Sequence, residues 1–371
     1  MTTFVSYMRQ MMRKSERYTF TQNTPRQHRQ TTGRRGQRST GRGVLRLPFA
    51  AVLAIFLLLL ACAAFRAVTM PEAMDIHVEG MMPLGTLLDS VVPAGVWTCV
   101  AGGVAIFVCA VLLTSIVVRY SVSPVRTYLP MSLYMAAACG AYLPEASVSA
   151  MLLPLILADA CSNAVESFRR TYRFGQVFQS AFLVGMAPML YAPSIVAVLI
   201  VPVTLVLYRR TAREAVAAVI GVMMPLFLCS MAWWVAGESF GYMAEELADN
   251  LFARQTVSLS DAVADGGIAI QLYFGVYGLL TLLSMVVVLV NMSSMRTRPR
   301  RVAIHFMWLA VICGGIVYLS GGNAVSLWIL AVPCSVLLSM LFVYRSGWAS
   351  ILVYILFIVS ALLPNMAPWL R

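Results

Sequence analysis

The residue types best suited to chemistry form one short constellation. Asp159, Ser162, Asn163 and Glu166 recur at i, i+3, i+4 and i+7, so a helix gathers them into one polar stripe. A charge at the centre of a membrane span costs about 2.5–3.5 kcal/mol on insertion scales, which makes Asp159 the clearest pointer in an apolar run. Read functionally, the stripe is a proton or cation site, or a polar lining for a headgroup. The preferred competing reading ends the helix earlier. The stripe then faces the cytoplasm and pairs with Arg169, Arg170 and Arg173.

A second group lies in the stretch Pro71–Glu79. Asp75, His77 and Glu79 alternate, so an extended strand would set all three on one side, where they could hold a divalent ion or act as acid and base. On a helix only Asp75 and Glu79 align. A solvated acidic loop is the simpler account. Polytopic glycosyltransferases acting on polyprenyl-linked sugars carry an acid in their first outer loop, and that architectural analogy makes Asp75 and Glu79 acid/base candidates. No Walker A loop, G-x-S-x-G elbow or H-E-x-x-H run occurs. The eight cysteines sit in apolar runs without C-x-x-C spacing and read as packing residues. Neither a metal site nor a cofactor is expected.

These residues are carried by a chain made for lipid. Of 371 residues, 60% are hydrophobic and 11% charged, against about 25% charged in an average soluble domain. The mean hydropathy is +0.81. Eleven apolar stretches of near-spanning length follow one another: 47–65, 95–118, 128–144, 148–166, 174–191, 193–208, 215–236, 268–291, 303–319, 324–343 and 348–366. The expected fold is an all-α polytopic transmembrane helix bundle of about eleven spans.

Charge orients it. With the N-terminus in the cytoplasm, alternate loops collect 13 of the 16 arginines beyond residue 46, while eleven of the fourteen acids there fall outside. This positive-inside pattern predicts a cytoplasmic N-terminus and an external C-terminus, in a bacterial inner membrane. Residues 1–46 hold ten Arg, Lys14 and Glu16 and form a basic tail, mostly disordered by composition. Phe4, Val5, Met8, Met11 and Met12 share one helical face there, as a membrane-surface helix would. Without interleaved stacking aromatics the tail gives no case for nucleic acid. Leu59-Leu60-Ala61-Cys62 resembles a lipobox, yet the polytopic body and long basic lead favour a first transmembrane helix.

Residues 47–371 form the transmembrane domain, with outer loops near 67–94 and 237–267 that are too short to build cores of their own. Within the second, Phe240, Met243, Leu247 and Leu251 share a helical face, as in an interfacial helix on the outer leaflet. Pro154, Pro202, Pro225 and Pro333 mark kinks or helix ends, and the pairs Gly102-Gly103 and Gly314-Gly315 permit close helix packing.

Three stretches carry a resemblance: Arg126–Pro130, then Phe174–Pro193 (FGQVFQSAFLVGMAPMLYAP), then REAVAAVIGVMMP from Arg213 to Pro225. Across about residues 120–230 the chain resembles a family of multi-pass Bacteroidetes membrane proteins with no established activity. Some members bear the label beta-carotene monooxygenase. Those oxygenases need four histidines for iron, whereas this chain has three, His28, His77 and His305, which the topology puts on different sides. The resemblance therefore implies a polytopic membrane protein and assigns no catalytic residue.

Three functions remain open. The first is a role in envelope-glycan or lipid-linked sugar biogenesis, with Asp75 and Glu79 as catalytic candidates and a polyprenyl-linked glycan as partner. The second is a secondary transporter or channel, with Asp159, Ser162, Asn163 and Glu166 lining the path. The third is a non-catalytic membrane subunit among other envelope proteins. Membrane lipids are partners in all three.

Overall fold

The computed structural model describes residues 48–69, 80–91, 96–120, 122, 127–140, 148–167, 174–252, 267–321, 324–345 and 347–366. All belong to one compact unit, Gly43–Arg371. The basic tail and the 70–79 stretch, with Asp75, His77 and Glu79, lie outside the described residues, as do Arg169, Arg170 and Arg173.

Among the described residues the protein is helical and has no strand, only the isolated bridge Met81–Tyr191. The helices are α1 Phe49–Thr69, α2 Pro83–Val91, α3 Val96–Arg119, α4 Leu129–Gly140, α5 Val148–Ser167, α6 Phe174–Leu190 and α7 Ile200–Leu207. They continue with α8 Ala212–Val235, α9 Tyr242–Phe252, α10 Gly267–Asn291, α11 Thr297–Leu319, α12 Ala324–Tyr344 and α13 Trp348–Met366. Each of the eleven apolar stretches coincides with a helix. Among the described residues, six helices are long and apolar enough to cross a membrane. This is a membrane protein.

One apolar stretch folds differently from the rest. Residues 192–199 form a 3-10 helix that opens into α7. Pro193 lies in its first turn and Pro202 follows it, and a proline cannot donate to the carbonyl four residues back while its ring crowds that carbonyl. The backbone between the two tightens into i+3 bonding instead.

The bundle has two regions. In the first, α4 and α12 lie at the centre, wrapped by α1, α3, α5, α10, α11 and α13. Every residue of α4 is buried. The last-turn carbonyls of α4, which have no partner within their own helix, are met from outside. Tyr273 donates its hydroxyl to Ala137 O at 2.7 Å, and Trp328 donates Nε1–H to Ala138 O at 3.1 Å. Gly140 makes room, since a Cβ there would strike the Tyr273 ring. Serine hydroxyls in this core bond back to their own helices: Ser132 to Leu129 O, Ser335 to Val332 O and Ser339 to Val336 O. Their polarity is used up locally and lines no path.

The second region is an arm made of α6, the 3-10 helix, α7 and α8, docked on α5 and α11. Helices α6 and α8 meet backbone to backbone. A Cβ on Gly185 would collide with the Val222 carbonyl, and one on Gly221 would collide with the Phe178 carbonyl. Such glycine contacts let helices associate in lipid by van der Waals packing. The outer face of α8 is apolar and exposed, with Val216, Val219, Ile220, Met223 and Phe227 along it.

Two expectations about packing are revised. Gly102 and Gly103 do sit under Met151 and Leu60, but Gly314 faces open space, so the Gly314-Gly315 pair makes no tight helix contact. The apolar face of α9 is turned onto the bundle, not onto a leaflet alone: Met243 is buried with Met82, Met189 and Ala192.

The helix ends fall into two groups. At one end, Arg119 of α3 pairs with Glu166 of α5, Arg210 before α8 reaches Ser167 of α5, and Thr204 of α7 meets His305 of α11. At the other, Asp89 of α2 caps α5 through Ser149 N at 3.0 Å and Ser149 Oγ at 2.8 Å. The 80–82 backbone bonds Leu190 and Ala192 at that same end.

Candidate functional site

The sequence stripe is present on α5 but divided. Glu166 turns toward α3, where Arg119 donates to both its oxygens, at 2.8 and 3.2 Å. The expected partners Arg169, Arg170 and Arg173 lie outside the described residues. The partner among the described residues is the last-turn arginine of α3, two spans back along the chain. The helix also runs on to Ser167, so it does not end early. Asp159 and Ser162 are half-buried. Asn163 keeps its Nδ2 buried with no hydrogen-bond partner among the described residues.

The concavity lies one face further round the same helix. Ala160, Cys161, Ala164 and Ser167, not the stripe, form its α5 wall. It is a narrow, half-open cleft between α5, α6, α7 and α11. Val177, Ala181, Val184, Val201 and Leu205 give it apolar sides. Its polar groups are Ser167, Ser180, Thr204, Arg210 and His305, all near the arginine-rich end.

Arg210 is placed by an unusual turn. Helix α7 closes with Arg209 N bonded to Val206 O and Arg210 N to Leu205 O, a Schellman pattern. The left-handed position in that pattern normally takes glycine, yet here Arg209 holds it with φ 52°. At the far end of α8 the same bond pattern falls on Gly237, with φ 105°. An L-residue pays about 1–2 kcal/mol for this conformation, and a cation at a helix C-terminus recovers part of it.

The turn delivers Arg210 to the mouth of the cleft. Its guanidinium donates to Ser167 Oγ at 3.0 Å and to Glu214 Oε1 at 3.2 Å. The side chains of Arg210 and Glu214 are only 10% and 3% exposed. Nε of Arg210 has no partner among the described residues. Glu214 is held in turn by the α8 capping box, in which Thr211 N donates to its Oε2 at 3.1 Å.

His305 faces the cleft from α11. It is 1% exposed and stacks on Tyr208, with ring centroids 6.0 Å apart. The Thr204 hydroxyl is 2.6 Å from Ile200 O and donates to it, so it can only accept at the 3.5 Å contact with His305 Nδ1. That assigns the imidazole proton to Nδ1 and leaves a lone pair on Nε2. Nε2 is buried with no partner among the described residues.

Chemically the cleft offers an N–H donor, a hydroxyl and a bare nitrogen acceptor above an apolar trough. Among the described residues no three His, Cys, Asp or Glu side chains come together as metal ligands. Ser180, Thr204, Arg210 and His305 were not among the sequence candidates. The Thr211-x-x-Glu214 pattern was the one legible signal nearby, because it fixes where α8 starts.

No family model, curated protein or solved structure matches the chain.

Proposed function

We propose that this protein crosses a bacterial inner membrane eleven times, N-terminus in the cytoplasm and C-terminus outside, and handles a membrane amphiphile. The eleven apolar helices and the gathering of arginines at one end support the topology. The leading amphiphile is a lipid-linked sugar of envelope-glycan biogenesis. One observation carries the reading: the cleft has apolar walls along the bundle and its polar groups at the arginine-rich boundary, where a lipid headgroup sits. This shifts the weight from Asp75 and Glu79, which lie outside the described residues, to Arg210 and His305. Protein extracted into nanodiscs is expected to retain a polyprenyl-linked sugar by native mass spectrometry, and deletion of the gene to change the surface-glycan profile. Retention of bulk phospholipid only, with an unchanged glycan profile, would sink the reading.

A second reading, passage of a small solute along α5, has one observation in its favour, the unpartnered buried amide of Asn163. It requires flux in vesicles to drop in Asp159→Asn. Equal flux removes the stripe from the account.

A further inference from the structure

We infer that the cleft is a receptor for a phosphate monoester: Arg210, positioned by Ser167, binds its oxyanion, and His305 accepts a hydrogen bond from its P–OH. The amphiphile reading above supplies one source of such a group, and free phosphate supplies another.

The argument begins with what is left over. A buried guanidinium with a free N–H is a strong and costly donor, because an unmade bond to a charged group forfeits more than a neutral one. Nε of Arg210 is such a donor, and the residue lines the cleft. A ligand that ends the deficit must bring an acceptor, best an anionic oxygen. Across the cleft, the lone pair of His305 Nε2 needs the reverse, a ligand that brings a proton. A carboxylate satisfies only Arg210. A neutral hydroxyl satisfies His305 and leaves the cation poorly met. A monoprotonated phosphate monoester carries both functions on one tetrahedral head. Ser167 adds a hydroxyl that already points its own proton at Ala164 O, at 2.6 Å, and accepts from Arg210. It therefore positions the guanidinium for an anion more than it binds one.

Glu214 makes the site conditional. Its carboxylate neutralises Arg210 in the empty cleft, and an incoming oxyanion competes with it for the same guanidinium. Glutamine at 214 keeps the capping box, which accepts Gln as well as Glu. Glu214→Gln should then tighten oxyanion binding, whereas a merely structural pair would show no such gain.

The test uses the full chain in phosphatidylcholine nanodiscs, titrated with farnesyl phosphate, its methyl diester, farnesol and inorganic phosphate. Farnesyl phosphate is expected to bind, farnesol and the diester more weakly. The double variant Arg210→Gln/Glu214→Gln leaves no buried unpaired charge and should weaken farnesyl phosphate about ten- to a hundredfold, the range for a charge-assisted bond. His305→Phe should erase the preference for monoester over diester. Equal binding of farnesyl phosphate and farnesol by the wild type would overturn the inference, as would unchanged binding in the double variant. If the variants fail to fold, the wild-type comparison of monoester, diester and alcohol decides it. Inorganic phosphate that binds as tightly as farnesyl phosphate, with both weakened in the double variant, would uphold the receptor and defeat the amphiphile reading.

Discussion

The centre of the bundle and its arm solve the same packing problem in opposite ways. In α12, 94% of the spanning window is buried, while in α8 the figure is 22%. The centre is filled by large side chains such as Tyr134, Phe306, Phe342 and Phe357, and its spare carbonyls are met by Tyr273 and Trp328. The arm has less of such filling, chiefly Tyr191 and Tyr208. It is joined by two glycines that bring α6 and α8 into backbone contact. Where α6 and α7 approach α5, small residues leave a gap, and that gap is the cleft. The difference teaches that in lipid, where apolar faces gain little by hiding from one another, polar concavity appears where packing is by small residues.

The comparison breaks most readily at the glycines. Gly185→Val or Gly221→Val inserts a side chain into backbone and should cost about 1–3 kcal/mol or more, detaching the arm and closing off ligand binding. Limited proteolysis between α6 and α8 should appear while the centre stays resistant. Survival of a resistant arm would show that side chains hold it after all. Next come Tyr273→Phe and Trp328→Phe. Each orphans one α4 carbonyl, for about 0.6–1.7 kcal/mol by the measured range for such bonds in membrane bundles. Thermal unfolding in detergent should fall for both, with ligand binding in the arm unchanged. Removing the cap between regions, Asp89→Ala, should cost about 0.5–2 kcal/mol by freeing the first turn of α5. The gentlest probe is Arg209→Gly. It should raise stability by about 1 kcal/mol by relieving the left-handed turn. No change in melting temperature there would mean that the lost helix-end charge offsets the relief.

Much of the frame was legible in the residues. All eleven apolar stretches became helices, because twenty-odd uncharged residues have few other ways to satisfy their backbone. The 3-10 segment at 192–199 was not legible in detail, although Pro202 was, since a proline announces a change without saying which one. The stripe on α5 is the helical face that its spacing announces, but the pairing of Glu166 with Arg119 was not legible. Periodicity orders residues around one helix but does not say which neighbour lies against them. Arg210 was counted among the charges that orient the chain, and nothing local distinguishes it from exposed Arg209. Its burial comes from the left-handed turn, and a turn without glycine leaves no mark in composition. His305 was read only as one of three scattered histidines. The polar partner it meets, Thr204, is 101 residues away along the chain.

The contact that seals α4 has a consequence in time. Trp328 closes the Ala138 carbonyl from 190 residues downstream. At about 5–20 residues per second of synthesis, that carbonyl waits roughly ten to forty seconds for this partner. During that interval the tip of α4 is an unpaired acceptor. The first half of this protein thus leaves the ribosome as a half-finished object whose α4 tip is closed only when the tenth apolar segment arrives. A chaperone or insertase that shelters α4 until Trp328 emerges would be shielding a carbonyl as well as a greasy helix.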